Sequence, residues 1–341
     1  MRKKHGMKPI KSSDMAIDTA VPPPAAELAG GRRSGMPSIR WTALGLPAAV
    51  FLMLVGFSLT SPVFMTAQNM RNVGLQAAAL AAVSFGQTFV VLTGGLDLSV
   101  GSIVALVSVV TALIGAQYGA VAGIAAGIAV GVAVGVVNGL VVTWFRVFPF
   151  IATLAMMSIA AGLALNISGG SALGDLPTSF SDLAIERTAG VPDPLLIAVV
   201  LLVLAFLFLR YFRSGRHIYA VGGNLQAASL SGIPVRAVVL LAYVLCAFCA
   251  SVGSLILTAR VASGQPTLGT SLPLQSVAAV VLGGVSLFGG RGSIIGVAFG
   301  VTFISILANG LNLLNVSSYT QMMVIGLALI VAVTLDQRIR H

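Results

Sequence analysis

Apolar residues run along this chain in long blocks separated by short polar breaks. The blocks fall at roughly residues 42–60, 72–92, 98–116, 121–145, 149–168, 194–212, 236–259, 273–288, 293–313 and 318–335. Most approach the roughly 20 residues that an α-helix needs to cross the hydrocarbon core, and they are too uniformly apolar for alternating barrel strands. The pattern predicts an all-α polytopic membrane protein of about ten transmembrane helices. Composition strengthens this: of 341 residues, 57% are hydrophobic and 8% charged, far too apolar for a soluble chain of this size.

Charge then orients the blocks. Eight of the 19 Lys and Arg residues lie in the first 40 positions, beside Pro22, Pro23 and Pro24 and without apolar periodicity. Residues 1–40 therefore read as a disordered basic tail that touches anionic lipid, not as a signal peptide and not as a nucleic-acid binder. The apolar body covers 41–336, and 337–341 form a short C-terminus. An even number of crossings puts both termini on one side. Placing that side in the cytoplasm gathers the tail, Arg146, Arg210, Arg213, Arg216, Arg236, Arg291, Arg338 and Arg340 inside and leaves Arg71, Arg187 and Arg260 outside. The longest outer segment, 169–193, is acidic, with Asp175, Asp182, Glu186 and Asp193 against Arg187, and could dock an external partner.

Three internal features carry chemistry. TGGLDLSVGS, from Thr93 to Ser102, places Asp97 among glycines between two apolar blocks. A carboxylate there is costly unless it caps a helix or serves a transport path. The fourth block carries Gly123, Gly127, Gly131, Gly135 and Gly139, a side-chain-free stripe along one helix face that predicts close helix packing. Residues 90–106 also resemble residues 280–298: each runs from an apolar stretch through Gly-Gly and a polar break to Gly-Ser, which suggests duplication. Both copies face the same way in this span count, whereas an inverted repeat would need opposite orientations.

Other chemistry is missing. No Lys follows position 11, so the body holds no phosphate loop and any ATP-derived energy must come from another subunit. No hydrolytic set, metal-ligand cluster or cofactor motif is evident, and Cys246 and Cys249 read as packing residues within an apolar run. The long inner loop, 213–236, offers Asn224 as an N-cap, LQAASL as a short helix and Gly232 as its close. Gln87, Thr93, Asp97, Asn138, Asn166, Asn309 and Asn312 are the polar candidates for a translocation path. The residues alone leave two transport mechanisms open: passage driven by a separate ATPase, or a secondary transporter in which Asp97 takes up and releases a proton.

TGGLDLSVGS, PFIATLAMMSIAAGLAL at 149–165, GRHIYAVGGNLQAASLSGIPV at 215–235 and LGGVSLFGGRGSIIG at 282–296 together resemble the permease subunit of ribose-type ABC sugar importers. The resemblance covers nearly the whole chain after about residue 40. It implies a ten-span inner-membrane permease, related in fold to the cobalamin importer, that carries a pentose or related monosaccharide. It also implies a second permease subunit, two cytoplasmic ATP-binding cassette domains and a periplasmic sugar-binding protein as partners. Gly215, Gly222, Gly223, Asn224, Ala227, Ala228, Gly232 and Ile233 match the family's coupling loop. Gln226 and Ser229 stand where many members carry Glu and Arg, and Ala161 where an Arg is common.

Overall fold

The computed structural model describes residues 41–188 and 190–340. The chain divides into two units, 1–41 and 42–341, and every element below belongs to the second except Trp41, which opens the first helix. The predicted tail at 1–40 and His341 of the predicted C-terminus lie outside the described residues.

The elements run in order α1 (Trp41–Thr60), α2 (Ala67–Leu92), α3 (Val100–Tyr118), α4 (Ala120–Thr143), α5 (Pro149–Ser168), α6 (Thr178–Ile185), β1 (Arg187–Thr188), β2 (Val191–Pro192), α7 (Asp193–Tyr211), α8 (Arg213–Gly223), α9 (Leu225–Leu230), α10 (Val235–Val261), α11 (Leu272–Leu282), α12 (Ile294–Leu313) and α13 (Ser318–Arg340). Local chemistry fixes several starts. The Thr66 hydroxyl accepts the Asn69 N–H at 3.3 Å and so caps α2. A proline in the first turn of α5, α7 and α11 sits where no backbone donor is missed.

Helix α2 is the core. Every residue from Ala78 to Leu92 is buried, including Ser84, Gln87 and Thr88. It packs against α7, α10, α11 and α12, which explains how polar side chains survive in its middle. By contrast α4, α5 and α7 bury only one face and expose rows such as Ile151, Leu154, Ile159 and Leu163, an arrangement suited to lipid or to another apolar surface.

Seven described helices are long and apolar enough to cross a membrane, and three shorter apolar ones cover Gly45–Thr60, Leu272–Leu282 and Ser318–Ile330. The expected span at 273–288 is therefore corrected: α11 stops at Leu282 because Gly284 adopts φ +81°, and residues 283–293 form a turn. At about 1.5 Å per residue, an 11-residue helix is too short to cross the core alone. The segment 169–193 is likewise more than a loop. It holds α6 and the antiparallel hairpin β1–β2, with Arg187 opposite Pro192.

The helix ends sort into two groups. Leu173 and Gly264 bridge at one end, near the acidic segment. At the other, the 93–99 and 283–293 turns meet α8, and the Arg236 guanidinium lies 6.0 Å from the Trp144 ring centre. These are called the acid-bearing and arginine-rich ends below.

Candidate translocation and coupling site

The turn after α2 is locked from four sides. Asp97 is fully buried, and its Oδ1 accepts the Ser99 N–H at 2.9 Å and the Ser99 hydroxyl at 2.6 Å. Ser99 Oγ in turn accepts from Asn138 Nδ2 on α4 at 2.8 Å. The Gln87 amide on α2, with its nitrogen toward the Asp97 carbonyl and its oxygen toward the Asp97 N–H, makes both bonds at 3.2 Å. The Leu96 carbonyl accepts from Thr153 on α5 and Tyr243 on α10, each at 3.4 Å. A buried polar backbone segment is tolerable only when its groups are paired; side chains from α2, α5 and α10 bond this one's backbone, and Asn138 on α4 holds the Ser99 hydroxyl.

The carboxylate thus caps the chain two residues on, within the turn, and reaches no N–H of α3. The expected helix-start cap is displaced because two residues, Leu98 and Ser99, separate Asp97 from the first residue of α3, Val100. Asp97 Oδ2 and Asn138 Oδ1 find no partner among the described residues.

The duplicated turn closes its helix in the same way. Gly94 (φ +83°) donates to Val91 O and Gly284 (φ +81°) to Val281 O, both at 2.9 Å; the next N–H in each case reaches back five residues, to Val90 O or Val280 O, at 3.1 Å. Beyond that point the copies diverge. Where Asp97 anchors the first, the second turns through Gly289 and Gly290, and the Gly290 N–H donates to Leu92 O at 2.9 Å. Both turns lie at the arginine-rich end, consistent with the shared orientation read from the spans.

Helix α8 completes the junction. A Cβ on Gly222 would run into Leu92 O and lie 2.6 Å from Gly290 N, and one on Gly290 would lie 2.5 Å from the Gly223 Cα. Three backbones therefore touch with no side chain between them. The Tyr219 hydroxyl donates to Gly292 O at 3.1 Å, and burial raises its pKa above the ordinary phenol value. The loop 213–236 holds two helices where one was expected. The missed signal for α8 was Gly215, Ile218 and Val221, buried at spacing three among polar neighbours. Past the break, Asn224 Oδ1 accepts the Ala227 N–H at 2.9 Å, α9 runs through LQAASL, and Gly232 follows at φ +78°. Ala228 and Gly215 face inward, Ile233 is half-buried, and Ala227 and Gly223 are exposed, as are Leu225 and Leu230.

Of the seven polar path candidates, Gln87, Asp97 and Asn138 come together at the first turn. Thr93 sits on that turn, with its hydroxyl bonded back to Val90 O at 2.7 Å. Asn309 lies toward the acid-bearing end in a reciprocal pair with Asn69, 2.9 Å each way. Asn166 and Asn312 are exposed and remote from the cluster. The glycine stripe of α4 faces α3 through Gly123 and Gly127, then α10 through Gly131, Gly135 and Gly139; a Cβ on Gly135 would lie 2.5 Å from Ala247 Cβ. Cys246 and Cys249 are free and buried, with α2 packed on them at Gly86.

Residues 69–333 match the family model described as "Branched-chain amino acid transport system / permease component". The chain belongs to this permease family. It is also 42% identical over 298 residues to ribose import permease protein RbsC of Bacillus subtilis (strain 168), covering 86% of this chain and 92% of that protein. The L-arabinose transport system permease protein AraH of Escherichia coli (strain K12) is 36% identical over 298 residues, covering 87% and 91%. The D-allose transport system permease protein AlsC of the same organism is 33% identical over 293 residues, covering 85% and 90%. No solved structure matches the chain. Family membership and the apolar helices make this a multi-pass membrane permease component.

Proposed function

We propose that the protein is the membrane permease of an ATP-driven importer that passes a pentose or related monosaccharide. The observation that carries this reading is the 42% identity, over nearly the full length of both chains, to permeases named for ribose import, with further relatives named for arabinose and allose. In this reading ATP is hydrolysed by a separate subunit pair docked at the arginine-rich, cytoplasmic end. Helices α8 and α9 receive the push through Leu225, Ala227 and Leu230, and the Gly222 junction passes it to both duplicated turns. Ten crossings in a cobalamin-type arrangement, one of them made by α11 together with the non-helical residues before it, cytoplasmic termini and a paired second permease complete the assembly. A periplasmic sugar-binding protein delivers cargo at the acid-bearing end, where 169–193 offers its carboxylates.

Vesicles holding the chain, its ATPase and a loaded binding protein test this directly, with D-ribose, L-arabinose and L-leucine offered in parallel. ATP-dependent uptake of a sugar but not of leucine is expected; leucine uptake alone would move the chain to amino acids. Uptake that survives an inactive ATPase and collapses with a protonophore would revive the Asp97 proton mechanism. Exchanging both Ala227 and Leu230 for Glu should lower uptake at least tenfold while the permease still inserts, and unchanged uptake would remove α9 from coupling.

A further inference from the structure

A cavity of about 330 Å³ near the acid-bearing end has a mixed polar and apolar lining. It lies between α2, α10, α11 and α12, and its polar members are Gln76, Arg260, Ser271, Gln275 and Ser305. Ser271 and Arg260 are exposed at its mouth, Gln76 and Gln275 are half-buried on its sides, and Ser305 is 3% exposed on its floor, midway along α12. None of these side chains makes a hydrogen bond or ion pair with another described residue. Thr88, Thr143, Ser251 and Thr302 each return their hydroxyl to the carbonyl four residues back, whereas the buried hydroxyls of Ser84, Thr111 and Ser305 find no partner among the described residues, and of these three only Ser305 lines the cavity.

A buried polar group without a partner is costly, and Ser305 on the floor, with the half-buried and equally unbonded Gln76 and Gln275 on the sides of the same cavity, is better explained by a visiting ligand than by packing. The chemistry narrows the ligand. Two carboxamides and two hydroxyls each offer both donor and acceptor, which matches the paired needs of vicinal sugar hydroxyls. No carboxylate lines the cavity, so a cation has no counter-charge, and Leu80 and Leu257 give an apolar wall for a C–H face. The volume is at the small end of ligand sites, suited to a monosaccharide. We infer that this cavity is the entry vestibule for a neutral monosaccharide, held by Gln76 and Gln275 with Ser305 as its floor. The inference rests on the sugar-permease reading and deepens it; the polar candidates chosen from sequence include none of these residues.

The test uses the full chain assembled with its ATPase and binding protein, with D-ribose as probe. Gln76→Leu and Gln275→Leu should each lower uptake at least tenfold. Gln76→Cys and Gln275→Cys, at half-buried positions, should react with a small membrane-impermeant thiol reagent added at the acid-bearing side, and D-ribose with its binding protein should slow that reaction several-fold. Cys246 and Cys249 are buried, so background labelling is low. Thiols that stay unreactive, or react at the same rate with and without sugar, would overturn the vestibule even if the leucine variants lose uptake through misfolding. Leucine variants that transport like the parent would also overturn it. A parent complex that takes up no sugar at all would instead sink the sugar reading itself.

Discussion

Residues 90–95 and 280–285 close their helices with the same pair of hydrogen bonds, yet the chain beyond them goes to opposite uses. The first turn plunges into side chains: Asp97, Gln87, Asn138, Thr153 and Tyr243 hold it from four helices. The second discards side chains, and its Gly289 and Gly290 lie directly against Leu92 and α8. One copy is fixed mainly by side-chain bonds from neighbouring helices, and the other mainly by close backbone packing, with bonds from the Gly290 N–H to Leu92 O and from the Tyr219 hydroxyl to Gly292 O. Many weak bonds tolerate the loss of one, whereas a backbone contact tolerates no added atom, so the two turns should fail in different ways.

The largest effect should come from the steric copy. Gly222→Val drives a branched side chain into Leu92 O and Gly290, a clash that costs about 3 kcal/mol or forces the junction apart. ATP-dependent uptake should fall at least tenfold, and thermal unfolding of the detergent-purified protein should shift down. Uptake at the parent level would show that the junction does not couple. At the bonded copy, Asp97→Ala leaves the Ser99 N–H and hydroxyl without their acceptor and should cost about 1–3 kcal/mol. Asp97→Asn should cost less than about 1 kcal/mol and keep uptake within a few-fold, because its amide still accepts from Ser99 and brings a donor where Oδ2 has no partner. Chemical-denaturation or thermal-shift measurements on the two variants check this, and loss of uptake in the Asn variant with normal stability would assign the carboxylate a charge role instead. The smallest change is Tyr243→Phe, which removes one of two 3.4 Å bonds to Leu96 O and should cost about 0.6 kcal/mol by the same measurement.

Most of the helical layout was legible because the hydrophobic blocks are long and their breaks are rich in Gly, Pro and Arg. Helix α11 was not, since apolar residues continue from Leu282 through Val285, Leu287 and Phe288 and mask the turn at Gly284. Helix α8 escaped for the opposite reason: its polar residues hide three buried positions spaced by three. Within the site, Gln87, Asp97 and Asn138 stood out one by one as polar residues in apolar surroundings. Their meeting did not, because Asn138 reaches Ser99 across 39 positions and sequence periodicity carries no information about such a contact. Gln76, Gln275 and Ser305 leave even less trace, as each is a single polar residue on a helix without a motif around it.

The joint between Leu92, Gly222 and Gly290 has a consequence for how such a permease can change over generations. Contacts made by main chain alone ask nothing of the cargo, so the joint works unaltered whatever passes through the bundle. If the joint couples as proposed, selectivity is free to drift by exchanging side chains at the distant mouth, while the part that would link it to the energy source keeps the same form.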